Sequence, residues 1–318
     1  MELENIIQLP HFKIKGREIL FLEQYVFMDF GKNINPKDSF DRKRLIGEGV
    51  FIQKRPIERS NISGKNILVL EPHPDDFALS CSGYALDCIK KGNKIKVLNL
   101  FSQSSLSTFP WQSLVSITEE EYENLRLEES HLTIEEYLGL GFDSLRLPLA
   151  LRRGHKNPFE HLNSKDLILE NKIYEKIIQE LMLYKHSVLL APLAIQGHID
   201  HLITCNTALK AKKEKPNIDL FFYEDMPYAR NRLAYQQRFE EIKSQVNIFP
   251  IYVCVSNFVE IMADLASVYK SQFDDINRIQ RLAIVKEDAR NIASEGRCYH
   301  NFQQSDLAQR VWQVGDFK

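Results

Sequence analysis

The feature that most limits what this 318-residue chain can fold into is an apolar run that ends in charge. Ile67-Leu68-Val69-Leu70 carries no polar alternation and reads as a short strand buried on both faces. It empties into Pro72-His73-Pro74-Asp75-Asp76, and an apolar segment containing Ser and Cys then starts a helix. One imidazole and two carboxylates therefore sit at the carboxyl end of a buried strand, which is where ligands bind in open α/β sheets. Two prolines fix φ and restrict the residue before each, so the turn is stiff and its side chains are aimed.

A second stretch repeats this design. Residues 187–191 form a continuous apolar strand, and Gly197-His198-Ile199-Asp200-His201 leaves it to open a helix running to about residue 213. Further strands are predicted over 94–101, 220–224 and 249–255, with a shorter one at 145–148. Helices are predicted over 78–91, 119–138, 166–183, 257–271 and 276–293. Strands alternating with helices predict an α/β fold, a Rossmann-like mostly parallel sheet with helices on both faces. Residues 1–62 differ in texture. Two strands are expected about Gly16, so this part reads as a small N-terminal β-containing extension, with 63–318 as the main domain. The Ser-rich stretch 103–116 is expected to be a mobile loop over the site.

Composition excludes several functions. Lys and Arg number 41 and Asp and Glu 43, interspersed, for a net charge of −2. No basic field points to nucleic acid and no polybasic run to a membrane surface. The longest apolar run, 188–195, contains Pro192 and is far too short to span a bilayer. The charged start has no apolar h-region. Five cysteines (Cys81, Cys88, Cys205, Cys254, Cys298) include no C-x-x-C pair and read as reduced thiols. A cytoplasmic protein is the expectation. Its partner would be a small molecule, and a second copy of the chain is one place where the extension could dock.

Each polar cluster alone has an ordinary reading. His-Pro-Asp-Asp is also a capped helix start, since aspartate satisfies free N–H groups there. His-x-x-His is also a surface helix face. Both follow apolar strands, and two strands of one parallel sheet would bring both turns to the same edge. Imidazoles and carboxylates converging there suit a divalent cation. Three protein ligands and one open position are what catalytic zinc requires, though another divalent cation fits the same donors.

Pro72-His73-Pro74-Asp75-Asp76 resembles the signature of the LmbE-like, or PIG-L, N-deacetylase family, and His198-Ile199-Asp200-His201 looks like its second motif. Between them, Gly92 with the strand over 94–101 resembles the family's G-x-x-V strand. Arg126 and Glu129, followed by Leu138-Gly139, are similar to its R-x-x-E helix, and Tyr269-Lys270-Ser271-Gln272 to its aromatic-x-Ser-Gln element. The resemblance covers residues 66–272. It implies a zinc-dependent hydrolase that removes the acetyl group of an N-acetylated amino sugar with metal-activated water. By resemblance His73, Asp76 and His201 would be the ligands and Asp75 the general base. A charged His198 would stabilise the oxyanion and protonate the leaving amine, with Asp200 orienting it. The pattern departs at Phe77, where the family often has an acid, and its glycines are thinned to Ser80, Ser82 and Gly83.

Three arginines are candidate substrate contacts. Arg126 is one, although an i, i+3 pair with Glu129 explains it as well. Arg152 and Arg153 lie in a basic loop with His155 and Lys156, which reads either as a solvated cluster or as a contact for a substrate phosphate or carboxylate. Two other functions are weighed. A sugar-binding scaffold would keep the fold without turnover. A metal-dependent glycosyltransferase would use Asp75-Asp76 as a clamp but leaves His198 and His201 unexplained. The absence of a G-x-G-x-x-G after the first strand argues against a dinucleotide oxidoreductase.

Overall fold

The computed structural model describes residues 6–60, 64–273, 277–297 and 303–318. The 62/63 boundary, Ile276 and Cys298 lie outside the described residues. The N-terminal part holds two small antiparallel sheets. Strand β1 (Ile6–Gln8) pairs with a strand that follows later, while β2 (Phe12–Lys15), β3 (Glu18–Phe21) and β4 (Tyr25–Asp29) form a meander. Gly16 turns β2 into β3 at φ +62°, a conformation glycine adopts without a Cβ penalty. Helix α1 (Ser39–Gly47), capped by Asp38, then leads to β5 (Phe51–Gln53), the partner of β1.

The main sheet is built by β6 (Asn66–Glu71), α2 (Ser82–Lys90), β7 (Lys94–Gln103), α3 (Glu119–His131), β8 (Gly141–Pro148), α4 (Ser164–Leu183), β9 (Val188–Pro192), α5 (Ile199–Glu214), β10 (Asp219–Tyr223), α6 (Arg232–Gln245), β11 (Val246–Cys254), α7 (Val259–Ser267), α8 (Arg278–Gly296) and β12 (Ala308–Phe317). Strand order is β11-β12-β10-β9-β6-β7-β8. Strands β10, β9, β6, β7 and β8 run parallel, and β12 and β11 close one edge antiparallel.

This topology positions the site. From β6 the chain winds outward through β7 to β8, then returns to lay β9 on the other side of β6, with Ile67 beside Val188 and Val69 beside Leu190. The connections leaving β6 and β9 diverge to opposite sides, which opens a crevice at their carboxyl ends. Strand β6 is buried on both faces, as its apolar run predicts. Ile67 and Val69 pack with residues of α2, α3 and α7, whereas Leu68 and Leu70 pack with α4, α5 and α6. No helix among the described residues is long and apolar enough to cross a membrane.

Four features differ from the sequence reading. The predicted helices at 78–91 and 119–138 each contain a π-helical turn, at Phe77–Cys81 and Leu132–Tyr137. Helix α6 went unrecognised because only Arg238 and Ile242 are buried on it, so it has almost no apolar stripe. Strand β12 was not anticipated because its polar residues point inward. Gln309 donates to the Ser80 carbonyl and accepts from the Tyr84 N–H, and Arg310 pairs with Glu224. A Cβ on Gly83 would meet Gln309 of β12 and Val255 at 2.9 Å and Met262 of α7 at 3.0 Å, so α2 is crowded at this glycine. Finally, the Ser-rich stretch 103–116 is packed down rather than loose. Phe109 and Trp111 are buried, and the Trp111 indole donates to the Lys270 carbonyl at 2.8 Å.

Residues of the N-terminal sheets share the core of the main sheet. Phe12, Ile19 and Phe21 belong to the same buried cluster as Ile67 and Leu86, and the Phe21 ring lies 4.7 Å from that of Trp111. Phe21→Ala is therefore expected to cost about 3–5 kcal/mol. It should lower the midpoint of one cooperative thermal transition of the whole chain. An early transition that leaves the main one unmoved would show instead that residues 6–60 fold independently.

Candidate metal centre and active site

The two motif turns meet at the carboxyl ends of β6 and β9. The first turn follows β6 directly. Asp75 adopts φ +149°, a backbone conformation that disfavours any side chain. Buried Glu71, the last residue of β6, accepts the backbone N–H of Phe77 at 3.1 Å and of Asp75 at 3.4 Å. Asn99 adds a third donor to that carboxylate at 3.2 Å. Phe77 itself is buried in the core, so the acid that steadies this turn comes from the strand end. The second turn also holds strained residues, with Ala194 at φ +62° and Gln196 at φ +67° before Gly197.

Three donor atoms form a nearly equilateral triangle. His73 Nδ1 lies 3.2 Å from His201 Nε2, and Asp76 Oδ2 lies 3.3 Å from His201 Nε2 and 3.6 Å from His73 Nδ1. Tetrahedral zinc bound at about 2.0–2.1 Å sets its donors roughly 3.3–3.4 Å apart. The outer nitrogens fix which lone pairs face inward. His73 Nε2 bonds Asp200 Oδ2 at 2.9 Å, and His201 Nδ1 bonds Asp225. These outer acceptors hold a proton on His73 Nε2 and on His201 Nδ1, so in its neutral form each ring would turn a lone pair toward Asp76. Against the cost of burial, Asp76 and Asp225 hold the His201 imidazole well above its ordinary range, so the three atoms gather around positive charge, which a bound cation would supply in place of that proton.

A wider grouping of His73, His198 and His201 also brings three imidazoles within 4.8 Å. The hydrogen bonding separates the two sets. His198 Nδ1 accepts the Asp200 backbone N–H at 3.2 Å, which leaves the proton on Nε2 and makes that atom a donor. Asp76, rather than His198, closes the smaller triangle.

Charge follows the same division. Burial alone would raise Asp76, but His201 and His73 beside it pull it down to about 2. Burial and the neighbouring Asp76 push Asp75 up to about 7, with Arg126 opposing. Burial holds His198 well below the ordinary imidazole range, so it is neutral. A cation at the triangle would act in the same direction, and both weigh against the charged His198 that the resemblance implies.

Asp200 also differs from expectation. Its carboxylate lies 4.0 Å from His198 Nδ1 but 2.9 Å from His73 Nε2, so it orients a candidate ligand and only its backbone steadies His198. The arginines are corrected too. Arg153 is buried, paired through Nε with Asp166 and through Nη2 with Asp200, each at 2.8 Å. Arg152 pairs with Glu119 at 3.2 Å, at the start of α3. Arg126 is buried beneath the first turn, where it donates to the Pro74 carbonyl and to Ser104 and stands 3.8 Å from Asp75. Glu129, its supposed helical partner, instead accepts the backbone N–H and hydroxyl of Ser271. None of the three is placed as a free substrate contact.

Asp225, in the Tyr223-Glu224-Asp225 stretch that reads from sequence equally as a lining of the site or a helix cap, joins the site. It follows β10, whose carboxyl end lies beside that of β9, and its other oxygen accepts the Ile195 N–H at 3.1 Å. The signal was an acid just beyond a strand at the same sheet edge. Nothing local separated it from an ordinary helix cap.

Comparison with known proteins finds deacetylases that share this fold. A 2'-N-acetylparomamine deacetylase of Streptomyces fradiae is 26% identical over 223 residues, covering 68% of this chain and 77% of that protein. Among solved structures, the A40926 pseudoaglycone deacetylase superposes with a TM-score of 0.60 at 23% identity, covering 79% of this chain and 98% of that one. The zinc-inhibited form of a teicoplanin deacetylase does so with a TM-score of 0.58 at 18% identity, over 80% and 98%. Residues 68–212, which span both motif turns and the helix each one opens, match the family described as PIG-L: GlcNAc-PI de-N-acetylase.

Proposed function

We propose that the chain is a metal-dependent N-deacetylase that releases acetate and a free amine from an N-acetylated amino-sugar compound. The observation that carries this reading is the donor triangle of His73, Asp76 and His201, with Asp75 and His198 beside it. The 2'-N-acetylparomamine deacetylase and the family description supply the substrate class. We assign the cation as zinc on the strength of two imidazoles and one carboxylate, donors that other divalent ions also accept.

When bound, such a cation polarises the acyl oxygen and acidifies water. The chain's own residues do the rest. Asp75, raised toward neutrality, accepts a proton from the attacking water. Neutral His198 donates Nε2–H to the oxygen on which negative charge develops, a contact worth about 3 kcal/mol in comparable oxyanion sites. Protonated Asp75 then gives its proton to the departing nitrogen, which makes the amine a competent leaving group. This moves the amine proton from His198, its expected source, to Asp75. A cytoplasmic setting is proposed on the cysteine pattern, which has no closely spaced pair.

The test begins with metal. Purified wild type should hold about one divalent ion per chain by elemental analysis, and His73→Ala should lose it. Acetate release from N-acetylglucosamine should accompany the ion. Wild type that stays metal-free after zinc is added back would end the hydrolase reading. Metal binding without hydrolysis of any acetamide would favour the scaffold.

A further inference from the structure

Phe159 is an unusual residue to find beside a reactive centre. It is 42% exposed, yet its loop is pinned. The Pro158 carbonyl accepts the Ile199 N–H at 2.8 Å, inside the second motif, and the Phe159 N–H is held by Asn157 at 2.7 Å. The ring stands edge-on to His198 at 5.5 Å and to Tyr228 at 6.0 Å. Tyr228, half-buried, packs 5.9 Å from His201 and 6.4 Å from His198. Two aromatic rings from different connections thus wall the side of the site where His198 stands. A fixed, exposed aromatic costs free energy in water, and a partner with an apolar face recovers it.

We infer that Phe159 and Tyr228 form the subsite for the pyranose ring of the substrate, with the C–H face of the sugar lying on Phe159. The inference rests on the deacetylase reading and extends it. It assigns the part of the substrate beyond the scissile amide to the loop over 154–163. An amino sugar suits both surfaces, because one face of the ring is apolar and its rim is polar. Asn157 and His161, both exposed on the same loop, are available to the hydroxyls.

The test uses the metal-loaded full chain as wild type, Phe159→Ala and Phe159→Trp, with two probes. One is N-acetylglucosamine and the other is N-acetylethanolamine, which presents the same amide without a ring. Phe159→Ala should lose about tenfold more in kcat/KM on the ring substrate than on the acyclic one, chiefly through KM. Phe159→Trp should restore it. Equal losses on both probes would overturn the subsite and leave Phe159 a packing residue. If wild type hydrolyses neither probe, the deacetylase reading is what fails. Indole fluorescence of Phe159→Trp titrated with glucosamine then decides separately. A saturable change upholds the sugar subsite, and a flat response overturns it.

Discussion

Asp75→Asn is expected to keep about one metal ion per chain and to lose roughly 10²–10⁴-fold in the rate of acetate release. The side chain keeps its size and its place in the turn, and Asp75 contributes no atom to the donor triangle. What disappears is the group that takes a proton from water and returns it to nitrogen. Asp76→Asn, one residue on, should fail differently. It removes a negatively charged donor held by the His73 backbone N–H at 2.8 Å, so metal content should fall together with rate. Neighbouring aspartates with opposite signatures, one losing chemistry and the other losing the ion, would establish the division of roles. Full activity in Asp75→Asn would refute the mechanism even if the metal site stood. Elemental analysis beside initial rates separates these cases.

How far the sequence foretold this site depends on how local each cause is. The apolar run of β6, the stiff His-Pro-Asp-Asp turn and the His-x-x-His helix start are encoded within a few residues, so both halves of the donor triangle could be read. Their meeting follows from strand adjacency, which alternation of strand and helix implies. The supporting residues could not be read in that way. Arg153 looks like a basic loop residue until Asp166, thirteen positions later, and Asp200, on another connection, are seen on either side of it. Glu71 looks like a strand end exposed to water until Asn99, Asp75 and Phe77 close over it. Buried polar networks are satisfied by distant partners. Periodicity and spacing carry no record of such partners, and the inward-facing polar residues of β12 escaped notice for the same reason.

Arg153→Met tests the longest of these networks and should weaken metal affinity by about 10–100-fold without touching a ligand. Acidic and basic side chains alternate along a chain from the surface to the site. Glu160 lies 3.3 Å from His155, His155 2.9 Å from Asp166, and Asp166 2.8 Å from Arg153. Arg153 then meets Asp200 at 2.8 Å, and Asp200 meets His73 at 2.9 Å. The Asp200 carboxylate, fully buried, fixes the proton on the outer nitrogen of His73 and raises the basicity of the inner one. Methionine would fill the space but leave Asp166 and Asp200 without their shared cation, and breaking a buried pair from one side costs about 3–5 kcal/mol. Some loss of stability is therefore expected in any case, which makes melting temperature alone a poor test. Asp166→Asn serves as the companion variant, since it removes one charge while retaining the volume at that position and an oxygen for one of the two sides on which Asp166 accepts. Chelator competition on folded protein gives the decisive number. If both variants hold metal as tightly as wild type, the network supports the loop over 154–163 and nothing more. If affinity falls in both, and further in Arg153→Met, the ligand His73 is tuned from a loop whose far end reaches solvent at Glu160.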